Sequence, residues 1–204
     1  MKKTIYLHIG LPKTGTTYLQ RRIFPKLKDV NYVDIRHKDF LYFINPITRQ
    51  PLSKLTRKEK AILKILINKK VKNKKNLISY EDFSGMWFKT NQTKNKKPSK
   101  IRTNNLNEIK SLFEDFDLKI IVALREQTDL INSLYKNYIY FGGTKDIHTF
   151  IKTHLILQKY LYCDFIDELQ KVFNLDENLY VFLYEDLKKN KNEQPRPKGR
   201  GINR

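Results

Sequence analysis

Residues 4–20, TIYLHIGLPKTGTTYLQ, pass from an apolar strand through a glycine-bounded loop into an amphipathic helix. A strand that hands over to a helix at its exit belongs in a parallel sheet, because parallel neighbours are joined only through a crossover. The pattern recurs along the chain. After Thr4–Ile9, a helix is expected over Thr16–Lys26 with Leu19, Ile23 and Leu27 on one face, then a strand in VNYVDI (30–35). TRKE (56–59) has the form of a capping box, and Ala61, Ile62, Ile65 and Leu66 continue a helix behind it. NLISY (76–80) and LKIIVAL (118–124) read as strands, and between them Leu106, Ile109, Phe113 and Phe116 recur at helical spacing. A helix over about 127–140 with Leu130, Ile131, Leu134 and Tyr138 inward, a helix near 159–173 and the strand LYVFLY (179–184) complete the alternation. It predicts a single α/β domain over 1–188, with a central, mainly parallel sheet and helices on both faces.

Two stretches fall outside this pattern. Residues 89–104 are polar, basic and aperiodic and read as a mobile loop; residues 189–204 read as a disordered basic tail. The 204 residues suffice for one core, and the single cysteine, Cys163, excludes an intramolecular disulfide, in keeping with a reducing compartment. No apolar run approaches the roughly 18 residues that span a bilayer, so a soluble cytoplasmic protein is expected.

The net charge of +20 is unevenly placed: residues 54–75 hold ten Lys or Arg against one acid, Glu59, and residues 89–102 hold six against none. Such patches suit steering of an anionic ligand or acceptor, and suit nucleic acid only with a recognisable module. No zinc spacing, basic zipper or RNA-binding signature accompanies them. The abundance of Lys, Asn and Ile makes a compositional origin the simpler one.

The loop Gly10–Thr17 carries the chemistry. In the nucleotide-triphosphate loop, lysine follows the second glycine and a hydroxyl holds magnesium. Here Gly10 and Gly15 keep the glycine spacing, but Thr16 stands in the lysine slot and Lys13 sits two residues before Gly15. Backbone N–H groups still form an anion nest, and Thr14, Thr16 and Thr17 add hydroxyls. The arrangement suits an anion, without the usual lysine and magnesium at a transferring phosphate.

LPKTGTTYLQ after a first strand resembles the 5′-phosphosulfate loop of sulfotransferases that use 3′-phosphoadenosine 5′-phosphosulfate (PAPS), closest in motif to bacterial and glycan-modifying members. The resemblance implies a P-loop-like fold, a PAPS donor with no metal, and a loop in which Lys13, Thr14, Gly15, Thr16 and Thr17 bind the donor. It implies that Lys13 reaches the oxygen bridging phosphate and sulfate. Sulfuryl transfer builds negative charge on that oxygen, and a fixed ammonium stabilises it. The family also carries an arginine at the end of a central strand and a serine eight residues on, both binding the 3′-phosphate; Arg125 and Ser133 in IIVALREQTDLINSLYKNY stand in that register. Arginine offers a bidentate fork for phosphate.

SYEDFSGMWF (79–88) resembles the glutamate-bearing stretch of the glycan-modifying members, which implies that Glu81 takes the acceptor proton. Burial by Phe83, Trp87 and Phe88 would have to raise its pKa for that work. Glu81 or its neighbour Asp82 equally suits a turn cap. His37 is the rival base, and His8 lies inside the first strand as core or support. His148 and His154 are remote, and the histidines form no metal pattern. The acids of LYEDL (183–187) most simply cap the following helix.

The resemblance covers about residues 4–188; the C-terminal helix and the later nucleotide-covering loop of the family have no clear match. The expected activity is sulfuryl transfer from PAPS to a hydroxyl or amine, on a carbohydrate, with a donor-binding but impaired member as the alternative. A P-loop kinase and a basic polyanion-binding protein are the other classes.

Overall fold

The computed structural model describes residues 2–34, 56–72, 75–80, 83, 98–155, 161–174 and 177–192. Five parallel strands form one sheet, β1 (Thr4–Ile9), β2 (Asn31–Val33), β3 (Asn76–Tyr80), β4 (Asp117–Leu124) and β5 (Leu179–Leu183), in the order β2-β3-β1-β4-β5. The helices are α1 (Thr16–Tyr18), α2 (Arg57–Lys70), α3 (Pro98–Leu112), α4 (Gln127–Tyr140), α5 (Ile147–His154), α6 (Tyr162–Phe173) and α7 (Tyr184–Asn192). This is the expected single α/β domain with a parallel sheet flanked by helices.

Successive strand residues point to opposite faces, and the core divides accordingly. Ile5, Leu7 and Ile9 of β1, Ile78 of β3, and Ile120 and Val122 of β4 join buried side chains of α2 to α6. Leu77, with Tyr6, Ile121 and Phe182 packed beside it, joins Leu19, Phe24 and Leu187 on the second face. The capping box at α2 is present: Thr56 accepts from the Glu59 N–H, and the Glu59 carboxylate accepts from the Thr56 N–H.

Four local expectations change. The helix over Thr16–Lys26 is α-helical only to Tyr18, then turns as a π-helix over Leu19–Ile23 and a 3₁₀ turn over Phe24–Lys26. The wider π turn rotates the face that follows it, so Gln20 and Phe24 are buried while Ile23 and Leu27 are exposed. In α2 the inward residues are Leu63 and Ile67, whereas Ile65 is exposed. The basic stretch read as a loop is helical from Pro98, where a proline suits a first turn whose N–H lacks an intrahelical partner. Helix α5 was not expected; Asp146 caps it and Phe150 is its buried anchor.

Part of the basic segment 54–75 is structural, since Lys60 pairs with Glu108 of α3 at 2.5 Å and Lys64 pairs with Glu114 in the turn after α3. Among the described residues, no helix is long and apolar enough to cross a membrane. Helix α7 continues to Asn192, and residues 193–204 of the expected tail lie outside the described residues.

Candidate functional site

The site forms where β1 and β4 end side by side. Ile9 is level with Val122, two residues before β4 ends at Leu124, so the loop after β1 and the residues after β4 leave the sheet at the same edge. On the other flank of β1, Ile9 is level with Tyr80, the last residue of β3. In open parallel sheets the crevice beyond the carboxyl ends, where strand order reverses, is the place a ligand reaches.

The loop is held by its own residues. Lys13 has φ 63° and Gly15 φ 80°, both in the left-handed region. Glycine tolerates this; for Lys13 it is a strained conformation, of the kind that persists where surrounding structure enforces it. A Cβ on Gly15 would stand 2.9 Å from a ring carbon of Tyr184, so glycine is required there on steric grounds as well. Thr14 is buried and donates its hydroxyl to the Leu11 carbonyl at 2.8 Å, bracing the loop from within. Thr16 is buried and its hydroxyl has no hydrogen-bond partner among the described residues, whereas Thr17 is exposed.

Arg125 joins the two strand ends. Its Nη1 donates to the Lys13 carbonyl at 2.9 Å, its guanidinium lies 4.7 Å over the Tyr184 ring, and Nη2 is 3.6 Å from the Asp129 carboxylate. Its Nε is buried and has no hydrogen-bond partner among the described residues. The Arg125 carbonyl accepts from the Tyr162 hydroxyl at 2.6 Å, and burial pushes that phenol up to about 12, keeping it a donor. Glu126 then caps α4; the N–H groups of Thr128 and Asp129 hold its carboxyl below the usual range.

Ser133 and Arg125 line the same cavity, about 270 Å³, together with Asp129, Asn132, Tyr135 and Lys136. One turn further along α4, Asn137 accepts from the Lys13 ammonium at 2.7 Å. Lys13, Arg125 and Ser133, from separate segments, are thus brought to one place. A larger cavity of about 680 Å³ also reaches Arg125, but Glu126, Asp164 and Glu185 line it, which disfavours an anion.

Glu81 and His37 lie outside the described residues, as do Asp82, Trp87 and Phe88; Phe83 is buried. His8 is fully buried within the sheet, as its strand position implied. Among the described residues no group of His, Cys, Asp and Glu is placed to hold a metal.

Two residues of this site escaped the sequence reading, Asn137 and Tyr184. Asn137 had a helical-spacing signal, four residues after Ser133. Tyr184 had none, since it reads as the last residue of a strand and is instead the first of α7.

The sequence matches the model of the sulfotransferase domain over residues 4–195. The chain belongs to this sulfotransferase family. Among solved structures it resembles a sulfotransferase from Alicyclobacillus acidocaldarius at 16% identity, covering 95% of this chain and 78% of that one with a TM-score of 0.56. A thymidylate kinase from Candida albicans aligns at 11% identity over 95% of this chain and 94% of that one, with a TM-score of 0.38. No curated protein matches the sequence. Membership of the sulfotransferase family makes the chain a transferase of the sulfuryl-transfer class.

Proposed function

We propose that this sulfotransferase moves a sulfuryl group from PAPS to a hydroxyl or amine of a carbohydrate acceptor by direct in-line displacement. The observation that carries the reading is the state of Arg125. Its Nε is buried without a partner, beside a cavity that Ser133 also lines, and its Nη1 is anchored on Lys13. Leaving a buried donor unpaired costs about 1–3 kcal/mol, and a phosphate is an acceptor that would relieve it. The Thr16 hydroxyl is a second buried group without a partner, in the loop itself. These residues fit a doubly phosphorylated adenosine: Gly15, Thr16 and Thr17 hold the 5′-phosphate, and Arg125 and Ser133 hold the 3′-phosphate. Thr14 supports the loop through Leu11.

Each protein group then has one task. The Lys13 ammonium leaves Asn137 for the oxygen on which charge accumulates as the sulfur–oxygen bond of the donor breaks. Glu81 accepts the proton of the acceptor group as its oxygen or nitrogen bonds to sulfur, and His37 is the alternative base. The exposed lone thiol of Cys163 suits a cytoplasmic setting.

Calorimetry with adenosine 3′,5′-bisphosphate against ATP–magnesium tests the donor. Selective binding of the bisphosphate supports the reading, preference for ATP supports a kinase, and binding of neither supports a basic polyanion-binding protein. Lys13→Ala should lower turnover by roughly 10²–10³ while keeping most bisphosphate affinity. Glu81→Gln should abolish turnover with donor binding intact; an unchanged rate would move the base to His37. Bisphosphate binding without turnover on any acceptor would mark an impaired member.

A further inference from the structure

Positions 133, 137, 140 and 141 of α4 and its cap follow the i, i+4, i+7, i+8 spacing that defines one helix face. Ser133 lines the cavity beside Arg125, and Asn137 holds the Lys13 ammonium at 2.7 Å. The face therefore runs from the anion cavity to the lysine, and its next step is Tyr140 and Phe141. Three to four residues of helix advance the face by about 5 Å, roughly the width of one sugar ring.

Those two side chains are conspicuously solvent-facing. Tyr140 is 82% exposed and Phe141 76%, whereas the next large apolar side chain among the described residues, Ile65, is 54% exposed. Their rings stand at 81° with centroids 5.2 Å apart, forming an open aromatic corner.

The turn behind them is firmly built. Gly142 has φ 86° and donates to the Ile139 carbonyl at 2.9 Å, and Gly143 donates to the Tyr138 carbonyl at 2.9 Å. A Cβ on Gly143 would come within 2.3 Å of the Tyr138 ring, which packs at 4.9 Å on both Phe150 and His154. The Tyr138 hydroxyl accepts from the Lys145 N–H, and the Tyr135 hydroxyl donates to the Lys145 carbonyl. The fold thus closes the helix against a braced turn while leaving two rings in water.

We infer that Tyr140 and Phe141 are the acceptor platform, on which a pyranose ring of the carbohydrate acceptor stacks beside the Lys13 ammonium. The inference rests on the sulfuryl-transfer reading of the Lys13–Arg125 site. Sugar rings suit such a corner because one face of the ring is lined by C–H groups, while its hydroxyls stay at the rim in water. A small phenolic acceptor would need a closed apolar pocket to bury most of its surface, and rings this exposed do not offer one.

The test uses the full chain saturated with adenosine 3′,5′-bisphosphate on a printed array of neutral and anionic oligosaccharides, with calorimetric bisphosphate affinity measured alongside. The wild-type protein should bind a subset of the sugars. A Tyr140→Ala, Phe141→Ala double variant should lose roughly tenfold or more of that affinity, with bisphosphate affinity and thermal melting unchanged. Tyr140→Trp with Phe141 intact should retain it. Equal sugar binding by wild type and double variant overturns the platform, as does a wild type that binds the bisphosphate but no sugar. A wild type that fails to bind the bisphosphate overturns the donor reading first and the platform with it.

Discussion

Along β1, Ile5, Leu7 and Ile9 enter an apolar core shared with α2 to α6, whereas Tyr6 and His8, one residue out of step, enter a thinner layer with Leu19 and Phe24 of the turns after α1 and with Leu187 of α7. The first layer is closed by Phe150, Phe165, Leu106 and Ile109, all fully or almost fully buried. The second carries a buried polar chain: His8 Nδ1 lies 2.7 Å from the Ser79 hydroxyl, and the Gln20 amide donates to that hydroxyl and to the Ser79 carbonyl. Apolar burial is strong but has no direction, so it stabilises the sheet without fixing one element to another at a single register. Hydrogen bonds contribute less and do have direction. The polar layer therefore ties the helical turns behind the Gly10–Thr17 loop to β3, and Glu81 follows directly from that strand. One face supplies stability and the other supplies alignment.

The largest effect expected is on the apolar face. Phe165→Ala removes a fully buried ring and should cost about 3–5 kcal/mol in urea unfolding. The folded fraction should still bind adenosine 3′,5′-bisphosphate within about twofold of wild type, because among the described residues this core reaches the Gly10–Thr17 loop through the apolar side chain of Leu11, and apolar contact fixes no direction. A tenfold loss of affinity in that variant would erase the distinction between the faces.

Next comes the titration of His8. Its ring is enclosed by Phe24, at 5.4 Å edge-on, and Phe182, stacked at 6.3 Å, and burial lowers its pKa from 6.5 to about 4. Below pH 6.5 the unfolded chain takes up a proton that the folded chain refuses until about pH 4. Folding stability attributable to this group should therefore be complete above 6.5 and fall as the pH drops through that window, by up to about 3 kcal/mol. His8→Gln should flatten the curve between those values, measured as the difference between wild-type and variant unfolding free energies. Parallel curves would mean that the imidazole is not enclosed as described.

The contrast between faces also explains what the sequence disclosed. The bounds of β1 and β3 and of α4 were legible because apolar runs and a helical repeat are local signals. The meeting of Lys13 and Arg125 was legible because each follows the end of an apolar strand, and Ser133 was legible from its family register with Arg125; the third segment expected at that edge, 79–88, lies mostly outside the described residues. The π turn of Leu19–Ile23 was not, since it depends on Gln20 being drawn inward to Ser79 rather than on any repeat. Helix α5 was hidden because it is short, with Asp146 as its cap and Phe150 as its buried anchor. Tyr184 against Gly15 is a contact between the two ends of the described chain, which no local pattern encodes.

The smallest effect is the most diagnostic of alignment. Gln20→Met keeps the volume and removes the two bonds to Ser79, at 3.2 and 3.1 Å, so it should cost about 1 kcal/mol. Ser79→Ala removes the hydroxyl shared with His8 and should cost a similar amount. Because Gln20 and Ser79 touch, the double variant should fall short of the sum by about 0.5 kcal/mol or more, and that shortfall measures their coupling. The same variants should weaken bisphosphate binding severalfold, unlike Phe165→Ala, because the turns they release begin at Gly15. Stability losses that add in full, with bisphosphate affinity untouched, would show that the polar layer is only a tolerated defect and that the loop takes its position from Arg125 and Tyr184 alone.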